Sequence, residues 1–257
     1  MGIWDTYEAR ITTRGDNARD ITLHRESDML RCKLPKSLSY NRVKIDDEEQ
    51  NVAIINSDNL NEKTIISLPD EDLKHGGLVF WMDNYWLITE RDANTTVYTK
   101  CKMIQCNHLL KWVSDDDVVH EQWCVIEDGT KYLTGEYEDR NFVVTRGDSR
   151  IAMTIAKNAD TVKFDRTKRF LIDDIDSKHK LAYALTKPLK LGGTYNNNGV
   201  YKFVLQEVTA TDDDNHELGI ADYYKHFPKD VTLYTDNDGA VINPENVSDT
   251  TGKKVWL

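Results

Sequence analysis

No stretch of the 257 residues stays apolar over the roughly 18–20 positions that a bilayer-crossing helix needs. The opening Met1-Gly2-Ile3-Trp4-Asp5 lacks the basic-then-apolar order of a secretory signal. Together these predict a protein with no membrane partner, made and kept in a cytoplasm. Cysteine is scarce: Cys32, Cys101, Cys106 and Cys124 are too few and too unevenly spaced for a disulfide framework, and read as small, partly buried hydrophobes. Only five prolines and thirteen glycines are present, which argues against long linkers and low-complexity tracts. Basic residues are outnumbered, giving a net charge of -11 without any Lys/Arg block. That balance excludes a reader of nucleic-acid sequence, which needs a concentrated basic face, but allows a protein past which DNA slides.

Catalytic signatures are missing as well. The chain has no Gly-x4-Gly-Lys or Gly-x-Gly-x-x-Gly phosphate loop, no Gly-x-Ser-x-Gly elbow and no His-Glu-x-x-His helix. The reading is therefore a non-enzyme with no catalytic, cofactor-binding or metal-binding residue. Three patterns still need an account. Cys101, Cys106, His108, His120 and Cys124 contain zinc-ligand types, but Cys101 and Cys106 have opposite strand parity and so point apart. Asp212 to Glu217 and Asp236 to Gly239 offer oxygens without completing a calcium loop, and read as solvated turns. The triplets Arg14-Gly15-Asp16 and Arg146-Gly147-Asp148 read as turns rather than adhesion motifs.

What is present is β grammar. Trp4, Tyr7 and Ile11 recur at helical spacing and a helix is expected over Arg19 to Cys32, interrupted before it by Gly15-Asp16-Asn17. Val43 and Ile45 then share one face, and Asp46 to Glu49 turns the chain towards Val52–Ile55. Leu78 to Met82 and Tyr85 to Ile88 flank Asp83-Asn84 and predict a hairpin, since Asp and Asn tolerate the positive φ of tight turns. Both faces of that hairpin are apolar, so it should lie within a barrel or sandwich or against a partner. Strands follow over Val97–Trp112, with a bulge or break near Met103, and over Val118–Ile126. A polar stretch around residues 130–139 marks the expected domain boundary. Beyond it, Phe142–Thr145, Arg150–Ala156, Phe170–Ile172, Leu181–Leu185 and Val200–Val208 continue as strands, with Ile151, Met153 and Ile155 facing in. The fold class read from this pattern is mainly β: a short helical or irregular N-terminal segment and a small barrel-like domain over 1–130, a second β-sandwich, Ig-like or barrel domain over 131–225, and an extended tail over 226–257.

Six tryptophans are many for such a chain, and most should be core. Trp4 and Trp256 lie near the termini, where there is little core to enter. With Tyr7, they are the candidate anchors into a partner, because interface hot spots favour Trp and Tyr.

The segments Asn51–Asp58, His75–Asp92, Gly129–Glu136, Thr145–Arg150, Arg169–Asp174 and Leu185–Lys190 resemble structural proteins of tailed phages infecting Firmicutes, over roughly residues 1–225. Within that group, the order of Gly, apolar strand, turn and Trp-Leu-Ile over residues 76–88 is similar to head-closure (stopper or adaptor) proteins of the neck. The resemblance implies a virion protein made in the host bacterial cytoplasm. Its partners would be further copies of itself in a hexameric or dodecameric ring, the portal or adaptor and tail proteins, and phage DNA passing without sequence-specific binding. It brings no active site. Two other readings stay open: a tail or capsid-decoration protein with an Ig-like domain, and an enzyme or carbohydrate-binding module using Trp81 and Trp86.

Overall fold

The computed structural model describes residues 2–4, 6–7, 17–128, 150–173, 178–188, 190, 193–195 and 198–228, and the strand backbones 234–235 and 241–242. The protein is mainly β, with two six-stranded barrel-like sheets behind an N-terminal helix. Helix α1 (Ala18–Lys33) starts where the sequence breaks its earlier pattern: the Asn17 side chain accepts the Asp20 N–H and caps the first turn. Arg31 and Lys33 sit in its last turn, where they favour the negative end of the helix dipole.

Strands β1 (Tyr40–Ile45), β2 (Glu48–Asn56), β3 (Glu62–Ser67), β4 (Leu78–Trp81), β5 (Asn84–Arg91) and β6 (Lys100–Gln105) form a closed barrel in the order β1-β2-β3-β6-β5-β4. Two of its hairpins have two-residue loops with both residues at positive φ: Asp46-Asp47 (49° and 69°) and Met82-Asp83 (48° and 57°). Left-handed turns of this kind match the right-handed twist of the flanking strands. The second loop lies one residue earlier than the sequence suggested, because Trp81 pairs with Asn84 and leaves Met82 in the turn. Asn84 supports it by donating its side-chain N–H to the Met82 carbonyl at 2.7 Å.

The two apolar faces of this hairpin have separate uses. Val79, Trp86 and Ile88 point into the barrel, where they join Val43, Val52, Ile54, Ile65 and Met103. Leu78, Tyr85 and Leu87 point outward and pack on Trp123, Val125, Ala156 and Val200 of the second half. Tyr85 and Trp123 stack with ring centroids 4.8 Å apart. Each large side chain buried in such a seam contributes about 1.5–3 kcal/mol.

Strands β7 (His108–Val113), β8 (Val119–Asp128), β9 (Arg150–Ala156), β10 (Arg169–Ile172), β11 (Leu181–Lys187) and β13 (Asn198–Val208) make the second sheet, ordered β10-β11-β13-β9-β8-β7, with β12 (Thr194–Tyr195) pairing β13. Its core is aromatic: Trp112, Phe164, Phe170, Tyr183, Tyr201 and Phe203 enclose Met153 and Ile155. Met153 and Ile155 face inward as their alternation predicts, with Ile151 packed against the same core.

The domain boundary differs from the expected one near 130. The chain leaves the barrel at Cys106-Asn107, and β7 and β8 belong to the second sheet. The reason is local: the single apolar stretch read as Val97–Trp112 is two strands, broken at Cys106-Asn107 rather than near Met103. At that break the Asn107 side chain donates to the Ile126 carbonyl and accepts the Ile126 N–H, satisfying the backbone of β8 while the chain changes sheets. The expected boundary stretch 130–139, the strand expected over 142–145 and both Arg-Gly-Asp triplets lie outside the described residues. Within the stretch expected as an extended tail, β14 (Tyr234–Thr235) pairs antiparallel with β15 (Val241–Ile242), and the expected turn at Asp236–Gly239 lies outside the described residues.

Candidate interaction surfaces

The N-terminal candidates are exposed. Trp4 is 77% and Tyr7 55% accessible, and their rings meet edge to face at 5.9 Å. Thr6 donates through both N–H and hydroxyl to the Gly2 carbonyl, so this short segment makes one turn. Helix α1 follows with no buried residue along its 16 positions. Its side chain Arg31 pairs with Asp70 of the β3–β4 connection, an exposed pair of the kind that contributes at most about 1 kcal/mol. A helix without a buried face takes little stability from its own chain and is free to find a partner. Trp256, the third candidate, lies outside the described residues.

The possible zinc ligands do not converge on one point, although His108 and Cys124 stand opposite each other on β7 and β8. Cys101 is in the core of the first barrel, Cys106 in the seam between the two halves and Cys124 in the second core. Burial pushes the Cys101 and Cys106 thiols up to about 12 and raises Cys124 as well, so all three stay protonated at neutral pH. His108 is lowered by burial and by Lys180, while His120 stacks on Trp112 and pairs with Asp160 at 3.3 Å. Among the described residues, no group of three His, Cys, Asp or Glu side chains could hold a metal ion.

The Asp212–Glu217 run conceals a structural clamp. Asp214 is fully buried, and its carboxylate accepts from the Thr211 and Asp222 N–H groups at 2.7 and 2.9 Å. Arg169 at the start of β10 grips it in a fork, at 2.7 and 3.1 Å, and also donates to Asp222, Thr211 and the Thr209 carbonyl. Burial alone would raise the Asp214 pKa, but the two N–H donors and the guanidinium outweigh it and hold the carboxyl below its usual range. Sequence reasoning missed this cluster because Arg169 stands 45 residues from Asp214.

Two of the open clefts among the described residues lie near these features. One, of about 540 Å³, lies between the halves, with Lys44, Lys74 and Lys157 beside Asp46 and Asp47. The other, of about 550 Å³, lies beside the clamp, between Ser114, Lys168 and Asp222. Both present mixed charge without convergent donors. The tryptophans proposed for sugar stacking do not form a platform, since Trp86 is buried in the first core and Trp81 packs against it at 5.8 Å.

One feature of the barrel carried no signal in sequence: its exposed large apolar residues, Ile55, Leu60, Met82 and the adjoining Leu38, gather at one end. β1 begins there, β2 finishes there, and the β2–β3 and β4–β5 turns both close there. The opposite end carries Asp46-Asp47, Asp70-Glu71-Asp72 and Asp92 in the turn and connections after β1, β3 and β5.

No helix among the described residues is long and apolar enough to cross a membrane. No curated protein and no solved structure matches the chain. A family model does match part of it, and the match ends with the last residue of β6, so it covers α1 and the whole first barrel and stops where the second sheet begins. That family is the YomX N-terminal domain, matched over residues 12–105, so the helix and first barrel are similar to a phage-associated domain.

Proposed function

We propose that the chain is a non-catalytic structural protein of a tailed-phage virion, acting as a neck (head-closure or adaptor) ring subunit between portal and tail. The observation that carries this reading is the N-terminal arm: a helix with no buried residue, preceded by the exposed Trp4–Tyr7 pair, ahead of a closed barrel and a second barrel-like sheet packed on it. An enzyme or receptor that worked alone would gain nothing from exposed aromatics on a stalk, whereas a subunit of an assembly buries them in its neighbour. The likeness of residues 12–105, which take in the helix and the first barrel, to a phage-associated domain supports the same setting.

The partners in this reading are further copies in a hexameric or dodecameric ring, the portal or adaptor, and tail proteins. DNA passes through the ring. A net charge of -11 keeps phosphates from adhering, so the genome moves without sequence-specific contacts. The protein is made in the host cytoplasm and resides in the virion neck.

Cryo-electron microscopy of the intact phage particle tests this directly. The expected result is density for two stacked barrels repeated as a closed ring at the portal vertex. Density along the tail or over the shell would discard the neck and favour the tail or decoration role. Absence from the particle would overturn the structural reading.

A further inference from the structure

Asn198-Gly199 is the sole Asn-Gly pair in the sequence. It opens β13, where Asn198 lies opposite Tyr195 and Gly199 opposite Thr194 of β12. Asn-Gly suits a tight hairpin because both residues tolerate positive φ. The same pair puts an amide carbon within reach of a backbone nitrogen that no Cβ shields.

The folded chain leaves this pair open to reaction. Asn198 is exposed and lines the cleft of about 540 Å³ between the halves, together with Lys157. Gly199 is held by only part of a ladder. Its carbonyl accepts the Lys157 N–H at 2.9 Å, but the return bond from the Gly199 N–H is not made. Towards β12, the Val200 N–H bonds the Gly193 carbonyl at 2.9 Å. By the alternation of an antiparallel ladder, Thr194 and Gly199 are then a pair that exchanges no bonds. Among the described residues, the Gly199 nitrogen therefore stands outside the hydrogen bonding of the sheet.

The backbone after Asn198 has no slack. Gly199 is buried with φ of 143°, and an added Cβ would stand 2.1 Å from the Gly193 carbonyl oxygen. A Cβ on Gly76, in the β3–β4 connection of the barrel, would stand 2.1 Å from the Gly199 carbonyl oxygen. The two halves thus meet backbone to backbone at the residue after Asn198, where close packing transmits any displacement.

We propose that Asn198-Gly199 is a self-modification site whose product loosens the junction between the halves. The Gly199 nitrogen attacks the Asn198 side-chain carbonyl carbon, a reaction favoured because both partners belong to one chain. A C–N bond forms, hydroxide from the cleft takes the Gly199 proton, and the amide nitrogen, protonated by water, leaves as ammonia. Water then opens the cyclic imide. Opening at the side-chain carbonyl gives aspartate. Opening at the main-chain carbonyl gives isoaspartate, whose backbone runs through the former side chain and is one carbon longer. Both products place a carboxylate in the cleft that Lys157 lines, but only isoaspartate displaces Gly199 against Gly76 and Gly193.

The test holds the full-length folded chain in mildly alkaline buffer and samples it over days. Mass spectrometry of the tryptic peptide 191–202 reads conversion of amide to carboxyl, and fragment ions assign it to Asn196, Asn197 or Asn198. A zero-time sample accounts for conversion during digestion. Asn198 is expected to convert at least about tenfold faster than either neighbour, with isoaspartate revealed by isoaspartyl methyltransferase labelling. Hydrogen exchange at the Lys157 amide, which bonds Gly199, should then rise in the aged wild type. It should stay unchanged in aged Asn198→Gln, whose longer side chain must close a less favoured ring. Fresh Asn198→Asp supplies the carboxylate on a chain of normal length and should exchange as the fresh wild type does. Conversion of Asn198 no faster than its neighbours would overturn the site. Faster exchange in aged Asn198→Gln or fresh Asn198→Asp, or unchanged exchange in converted wild type, would overturn its effect on the junction.

Discussion

In the first barrel the final gap is bridged by backbone. Lys44 lies opposite Phe80 and Ile45 opposite Val79, which joins β1 to β4 and completes the ladder. In the second, β7 and β10 come together without pairing, and side chains and a folded-back segment make the closure. Lys168 donates to the Val113 carbonyl across the gap at 2.9 Å, Arg169 clamps the segment after β13, and His226 of the short helix α2 (Tyr223–His226) reaches Asp117 at 2.7 Å. The cores differ in the same sense, aliphatic in the first barrel and aromatic in the second. A ladder of N–H···O bonds depends little on which side chains are present or on their charge. A clamp depends on three particular residues and on their ionisation. The first barrel is therefore the robust half and the second the conditional one.

The sharpest way to break this contrast is Asp214→Ala. It leaves the Arg169 guanidinium, only 13% exposed, with Asp222 as its remaining acid and removes the acceptor for two N–H groups. Breaking a buried ion pair from one side costs about 3 kcal/mol. Calorimetry should show the melting of the second half fall by roughly 12–20 °C, with the first half little changed. Equal losses in both halves would mean that the two melt as one unit and that the contrast has no thermodynamic content.

Next in size is Gly76→Ala, aimed at the junction. Gly76 has φ of 86° and lies against the backbone of Gly199, so an added Cβ would stand 2.1 Å from the Gly199 carbonyl oxygen. Neither backbone can yield without moving a barrel loop or the start of β13. The expected cost is about 2 kcal/mol, and the two halves should then melt at more widely separated temperatures. Retention of a single unchanged transition would show that the Tyr85–Trp123 seam alone couples the halves.

How much of this was written in the sequence follows the range of the interactions. The hairpin at residues 78–88 was legible because its turn chemistry is local, and it erred by one residue because Met82 is an uncommon occupant of positive φ. Its two apolar faces correctly called for cover on both sides, one by the barrel interior and one by the second half. Helix α1 was expected over Arg19 to Cys32, but the Asn17 cap that starts it read only as part of a break. The boundary at Cys106-Asn107 was not legible, since the change of apolar parity near Met103 reads equally as a bulge within one strand, and nothing in the sequence says that the chain changes sheets. The clamp and the apolar barrel end were illegible for one reason: each is assembled from residues tens of positions apart, and their proximity is a product of topology.

Acid should separate the halves without mutation. The Asp214 carboxyl is held below its ordinary value in the folded state, so its contribution is complete above the ordinary carboxylate pKa of about 4 and is lost as pH falls through the lower folded value. In the first barrel, Glu62 is lowered chiefly by its hydrogen bond to Lys102, against a smaller effect of burial, and this more open pair is screened by water. Tryptophan fluorescence followed from pH 6 to pH 2 should therefore report the Trp112 environment changing before that of Trp86. Simultaneous loss would place the acid-sensitive contact outside the clamp.

The smallest effect expected is a gain. Thr167 occupies φ of 75° in the turn before β10, a conformation in which a β-branched side chain is strained, while its N–H bonds the Leu185 carbonyl at 2.9 Å. Glycine at this position keeps the hydrogen bond and removes the clash of Cβ with the backbone, worth about 1 kcal/mol, partly offset by the greater freedom glycine has when unfolded. Thr167→Gly should raise the melting temperature of the second half by a few degrees and leave the first half where it is. The strained turn feeds directly into Lys168 and Arg169, the two side chains that close the second barrel. A loss of stability in this variant would mean that Thr167 is held in place because it aims them, and the conditional half would then depend on its backbone as well as on its charges.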